Sequence, residues 1–269
     1  MNDNASFVTP NSLQVAMIGN CAYSALIDQQ SRVVWCCLPR FDGDPVFNAM
    51  LDPTENGSLW AFELEGYERS EQFYEPNTAV LRTRMYDSKG QGIEVTDLAP
   101  RFWSRGRTFR PLTMVRRVKV LSGSPRMRVL LRPRFDYGRL TPSVTQGSTH
   151  IRYVAGNSTI RINTDAPISY VLAETFFVVD RPMNFIMGPD ETLASGIEDT
   201  ARLFEQETVS YWKAWTRALS LPLEWQDAVI RAAITLKLSL YEDTGAIIAA
   251  MTTSIPEAPV SSYLSLIHI

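Results

Sequence analysis

The chain has 269 residues, 45% of them hydrophobic and 20% charged, with a formal net charge of -3. That is globular composition with enough apolar mass for one large or two ordinary domains, and the mixed, slightly acidic charge speaks against nucleic acid or an anionic membrane as partner. No apolar run approaches a membrane span, and the polar start Met1-Asn2-Asp3-Asn4-Ala5-Ser6 lacks the apolar stretch of a signal peptide, so a cytoplasmic protein is expected.

Residues 17 to about 188 read as strands. Residues 22–27 lead through Asp28-Gln29-Gln30-Ser31 into the apolar run 33–38, which has the pattern of a hairpin. After a loop bounded by Pro39 and Pro45, residues 46–51 read as a short helix ended by Asp52-Pro53. Residues 59–64 are a strand candidate. Residues 78–86 and 93–98 form a second hairpin about the turn 87–92, where glycines supply positive φ. Further strands are expected at 114–121, 127–132, 150–154, 159–162, 168–173 and 176–179. Hairpin-length links without intervening helices argue for an antiparallel sandwich. Arginines in the clusters at 101–110 and 126–134 fall at strand spacing. They read as the wet faces of strands, with an anion site as the alternative.

The period changes after Gly188-Pro189. Ser195 and Glu198 have capping-box spacing. Ala201, Phe204, Thr208, Tyr211, Trp212, Trp215 and Leu219 then recur three and four apart, which predicts a helix lying against the sandwich. A second helix is expected from about Leu223 to Tyr241, with Gly245 as its stop. Trp225, Val229, Ala232, Leu236 and Leu240 make one apolar face, and Ile230, Ile234, Leu238 and Tyr241 make another. A helix apolar on most of its circumference asks to be enclosed by other elements. We therefore expect an incomplete chain. The end, Leu264-Ser265-Leu266-Ile267-His268-Ile269, matches the translation of a transposase adapter used in sequencing libraries and is expected to be non-native.

Cys21, Cys36 and Cys37 are odd in number, and the adjacent pair points to opposite sides of a strand. They read as small buried hydrophobes in a reducing compartment. Only His150 and His268 are present, and no Cys-x-x-Cys occurs, so neither a metal nor another cofactor is expected. The loop Pro39-Arg40-Phe41-Asp42 carries a cation, a ring and a carboxylate at the end of a buried strand. Rings stack on pyranose faces, while guanidinium and carboxylate groups bind hydroxyls with fixed geometry. Arg40, Phe41 and Asp42 are the candidate substrate-binding residues, and a solvated turn is the plainer reading.

Several stretches together resemble bacterial glycoside hydrolase family 15, which includes glucoamylases, glucodextranases and trehalases. They are Met17-Ile18-Gly19-Asn20, Ala25-Leu26-Ile27, Val34-Trp35-Cys36-Cys37-Leu38-Pro39-Arg40-Phe41-Asp42, Trp225-Gln226-Asp227-Ala228-Val229-Ile230-Arg231, Leu236-Lys237-Leu238, Thr244-Gly245-Ala246-Ile247-Ile248-Ala249-Ala250 and Thr252-Thr253-Ser254-Ile255-Pro256-Glu257. The resemblance implies a mainly β protein with C-terminal helices. An antiparallel β-supersandwich would occupy residues 1–190 and a helical linker 191–220. The first helix of a truncated α/α six-fold toroid would lie in 221–259, with the suspect tail at 260–269.

It further implies hydrolysis of α-glucosidic bonds with inversion, by one glutamic acid and one glutamate spaced to admit a water. In the family both lie in the toroid past its first helix, so no catalytic residue can be carried onto this chain, and Glu257 gets no such role. Where the family continues with Arg-Asn-Trp-Asp, this chain reads Val260-Ser261-Ser262-Tyr263. The loop at 39–42 corresponds to one leaning toward the toroid mouth. Arg40 and Asp42 would touch sugar hydroxyls with Phe41 packed beneath, or else form an interdomain ion pair. Thr252-Thr253-Ser254 would sit at the same end, positioning substrate or capping a turn. An α-glucoside or oligosaccharide would be the substrate of the full-length protein, whose catalytic domain would pack on the second helix. A stand-alone carbohydrate-binding or interaction sandwich is the competing reading, and it requires Trp225, Ile234 and Leu236 to be covered within this chain.

Overall fold

The structure, a computed structural model, describes residues 14–52, 57–255 and 266–268. In chain order the elements begin with β1 (Val15–Gly19), β2 (Ser24–Asp28), β3 (Val33–Leu38), β4 (Asp44–Phe47), β5 (Leu59–Leu64), β6 (Tyr67–Tyr74), β7 (Leu81–Asp87) and β8 (Gly92–Leu98). Then come β9 (Phe102–Ser104), β10 (Arg107–Phe109), β11 (Met114–Ser122), β12 (Arg126–Arg132), β13 (Ser143–Gln146), β14 (His150–Ala155) and β15 (Ser158–Thr164). The last are α1 (Ile168–Leu172), β16 (Phe177–Val178), β17 (Met183–Gly188), α2 (Ile197–Arg217), α3 (Gln226–Leu238), β18 (Leu240–Tyr241), β19 (Ala246–Ile248) and β20 (Leu266–His268).

Two antiparallel sheets face each other. One runs β1-β2-β3-β5-β12-β16, with β4 also paired to β3; the other runs β13-β14-β15-β17-β11-β8-β7-β6. Their inner faces share one core, in which Trp60 and Phe62 of β5 meet Phe185 of β17 at centroid distances of 6.3 and 5.1 Å. The predicted sandwich is therefore present. Cys36 faces this core while Cys37 faces outward, and all three cysteines are buried thiols. A bulge at Val34 turns both Val34 and Trp35 to the outer face, where Leu26, Cys37, Met251 and Ile255 join them.

The sandwich encloses an ion pair that its sequence pattern does not announce. Arg116 of β11 and Asp97 of β8 are both 0% exposed, with Nε to Oδ1 at 2.7 Å. Arg116 also donates to Trp60 O at 2.9 Å and to Ser31 Oγ at 2.8 Å, so one guanidinium bonds both sheets. A buried charge is tolerable only when its hydrogen-bonding groups find such partners.

The helix predicted to lie against the sandwich is α2. Its Ala201 packs with Val80, Leu98, Val115 and Ile186 on the outer face of the second sheet. Ser195 does not cap it. The helix starts after Gly196 with no side-chain cap, and Glu198 and Asp199 in the first turn complement the helix dipole instead. The second helix, α3, is shorter than predicted. Trp225 precedes it at φ 63°, it ends at Leu238, and Gly245 serves the β18–β19 turn at φ 74° rather than the helix.

Only one apolar face of α3 is covered. Ile230, Ile234 and Leu238 pack with Ala79 and Trp212, whereas Trp225 and Leu236 are 79% and 60% exposed. The chain thus covers more of this helix than its pattern predicts, but not all of it. Among the described residues no helix is long and apolar enough to cross a membrane.

Other expectations are corrected. Residues 46–51 are not helical: Phe47 pairs with Cys36 on β3, burial on the sheet prevails, and a turn follows at Asn48. Residues 168–173 hold α1 rather than a strand. Ile168 and Val171, three apart, are its buried pair, and a short apolar run does not itself choose between the two periods. The strand β6 and the β9–β10 hairpin had no strong pattern. Arg126, Arg128 and Arg132 do line a strand surface, each beside a glutamate (Glu65, Glu63 and Glu174). Arg101, by contrast, is 1% exposed and no wet-face residue. Within the segment set aside as a tail, Leu266–His268 pairs with Ala246–Ile248. The N-terminal residues 1–13, Pro53 and Glu257 lie outside the described residues.

Candidate functional site

The loop between β3 and β4 is the best-defined polar feature of the first sheet. It begins at the cis Leu38-Pro39 peptide and closes with Gly43 N donating to Arg40 O at 3.0 Å. Gly43 is required sterically, since a Cβ there would stand 2.7 Å from Leu38 O. Arg40 grips Asp42 with both arms of its guanidinium, Nε to Oδ1 at 2.9 Å and Nη2 to Oδ2 at 2.6 Å. The Arg40 side chain stays 50% exposed. Its guanidinium lies 5.2 Å from the ring centre of Tyr241, and Phe41, 4% exposed, meets the same ring edge-on at 6.1 Å. The three candidate residues therefore form one unit, with Phe41 buried below an internal Arg–Asp pair.

Three further segments close around this unit. The Asp44 carboxylate accepts from the backbone N–H groups of Asp136 and Tyr137. Tyr137 donates its hydroxyl to Ser254 O at 2.8 Å, while its ring is 43% exposed. Ser254 Oγ lies 3.4 Å from Cys37 Sγ, and Trp35 Nε1 donates to Met251 O at 2.7 Å. Residues 250–255 are thereby fastened over the outer face of the first sheet, with Ser254 beside Cys37 and Tyr137.

The β18–β19 hairpin that carries Tyr241 is anchored by charge. Arg101 donates to Glu242 Oε2 and Oε1 at 2.8 Å each and to Asn20 O at 2.8 Å. Arg110 reaches Glu242 at 3.0 Å and also pairs with Asp243. Arg101 holds the Glu242 carboxyl below the ordinary glutamate value, and Arg110 does the same for Asp243. Burial pushes the Tyr241 hydroxyl up. Among the described residues, every carboxyl that is displaced is displaced downward, at Glu75, Asp87, Glu94, Asp190, Glu242 and Asp243. A glycosidase acid needs the opposite, a carboxyl held protonated near neutral pH. At the rim, Glu242 and Asp243 are held in the opposite, ionised condition. Among the described residues no group of three or more His, Cys, Asp or Glu could hold a metal.

Sequence reasoning did not associate Tyr137, Tyr241, Arg101 or Glu242 with the loop. Tyr241 read as a helix position, and the Arg101–Glu242 pair spans 141 residues, beyond any local pattern. The stand-alone reading required cover for Trp225, Ile234 and Leu236, and only Ile234 is covered.

The family described as trehalase-like, N-terminal, matches residues 9–172, which include β1 to β15, the Arg40 loop and the Tyr137 turn. A trehalase of Thermoplasma volcanium is 27% identical over 90% of this chain and 39% of its own length. A trehalase of Mycolicibacterium smegmatis is 27% identical over 93% of this chain and 41% of its own. Trehalase 1 of Sulfolobus acidocaldarius is 28% identical over 91% and 40%. The chain spans about two fifths of the length of these curated relatives. It belongs to the trehalase-like N-terminal family.

Proposed function

We propose that this chain is the sandwich portion of an inverting glycoside hydrolase of family 15 that acts on α-glucosidic bonds, with trehalose as the leading substrate. The observation that carries the reading is the similarity to curated trehalases across at least 90% of this chain. The catalytic acid and base come from residues outside it. The downward displacement of the rim carboxyls Glu242 and Asp243 supports that division of labour. A helical domain would cover Trp225 and Leu236, the bare apolar face of α3. The buried thiols fit a cytoplasmic setting.

In this scheme Arg40 and Asp42 present a preformed guanidinium–carboxylate edge to sugar hydroxyls, and Phe41 and Tyr241 hold that edge rigid from below. A preorganised pair loses little side-chain freedom on binding, which favours orientation of the substrate. The chain by itself should release no glucose from trehalose, maltose or isomalto-oligosaccharides, and robust turnover would overturn the proposal. In the full-length protein, Arg40→Ala should raise KM more than it lowers kcat. An unchanged KM would remove Arg40 from the binding edge.

A further inference from the structure

We propose that the β9–β10 hairpin is an aromatic finger, with Trp103 stacking on a pyranose ring of the saccharide held at the Arg40 rim. This inference rests on the carbohydrate reading above and assigns the ring that extends beyond the rim.

The hairpin has a rigid root. Phe102 and Phe109, paired across its strands, stand 4.9 Å apart and pack on Phe204 of α2 at 5.8 and 5.7 Å. The residues flanking it, Arg101 and Arg110, are the two arginines that hold Glu242, next to Tyr241. The finger and the Arg40–Tyr241 edge therefore spring from one anchored carboxylate. Three extended residues reach about 10 Å, the scale of one to two sugar units.

The tip is built unlike a structural hairpin. Alternation along β9 places Phe102 inward and Trp103, its neighbour, outward at 67% exposure. Packing gives no reason for a tryptophan there, since a threonine would satisfy the strand. Arg105 and Gly106 form the turn at φ 51° and 76°, the conformation of a type I′ hairpin. Asn or Gly favours the first of these positions, and a long basic side chain there is a backbone outlier that points to use rather than to stability. Arg105 and Arg107 are exposed and make no ion pair among the described residues, whereas Arg126, Arg128, Arg132 and Arg152 each have a carboxylate partner. An exposed indole face one residue from a turn whose Arg105 pairs with no carboxylate among the described residues suits a neutral ring with hydroxyls at its edge.

The test follows the Trp103 indole N–H by NMR in the isotopically labelled chain, the signal being assigned through W103F. Trehalose and maltose are titrated, with glycerol as a control that offers hydroxyls but no ring face. The expected result is a saturable shift with the disaccharides alone. Apparent affinity should fall about tenfold in W103A and severalfold in R105A, whose side chain lies outside the hairpin's packed root. No Trp103 shift with either disaccharide would overturn the finger. Binding seen at other signals and abolished by R40A, but indifferent to W103A and R105A, would overturn the finger while leaving the rim reading intact. A Trp103 shift unaffected by R40A would overturn the shared site, because the finger would then bind sugar without the rim.

Discussion

The two apolar faces of α3 look alike in sequence, and the structure distinguishes them sharply enough to test. Ile234 is 1% exposed against Ala79 and Trp212, and Ile234→Ala deletes three carbons from that contact. At about 0.8 kcal/mol per buried methylene the transfer loss is about 2.4 kcal/mol, and an unfilled cavity raises the cost to about 3 kcal/mol. Leu236→Ala also deletes three carbons, but Leu236 is 60% exposed, so the same arithmetic gives at most about 1 kcal/mol and no cavity. The higher helix propensity of alanine offsets about 0.2 kcal/mol of that. Urea unfolding followed by far-UV circular dichroism should read the contrast. With a slope of about 3 kcal/mol/M the midpoint falls by about 1 M for Ile234→Ala and by less than about 0.3 M for Leu236→Ala. Equal losses would refute the reasoning, because Leu236 would then be buried and the bare face that supports a covering domain would not exist.

Three further outcomes are expected. Asp97→Ala strands the fully buried Arg116 charge and should cost about 3–5 kcal/mol in the same assay, whereas Glu71→Ala, which breaks a pair with Arg69 exposed on both sides, should stay within about 0.5 kcal/mol. Arg101 holds Glu242 below its ordinary 4.5, so the contribution of that pair is complete above that value and is lost as pH falls through the lower folded-state value. Wild type and Glu242→Gln should therefore differ in unfolding midpoint at pH 7 and converge in acid, and a gap constant with pH would exclude the pairing as its source. Gly43→Ala forces a Cβ against Leu38 O and should cost about 1–3 kcal/mol. Faster hydrogen exchange confined to residues 39–47 would locate the strain at the loop, and unchanged exchange there would show that the loop accommodates the methyl.

The sandwich strands at 59–64, 114–121, 127–132 and 150–154 were legible because β propensity, alternation and glycine or proline turns act over a few residues. The same local chemistry marked Arg40, Phe41 and Asp42 as a unit between two prolines. It could not show that Tyr241 and Tyr137 close around them, because those rings arrive from segments far along the chain. It also misread residues 46–51 and 168–173, where a short apolar run takes its conformation from the surface that buries it. Arg101 reads locally as a surface charge, yet Glu242 and the carbonyl of Asn20 gather round it, and nothing local marks Arg116 for burial beside Asp97 and the carbonyl of Trp60. Turns and amphipathic periods are written in neighbouring residues, so they survive without a fold. Burial of a charge, or the choice between two apolar faces of α3, depends on partners that only folding brings within a few ångströms.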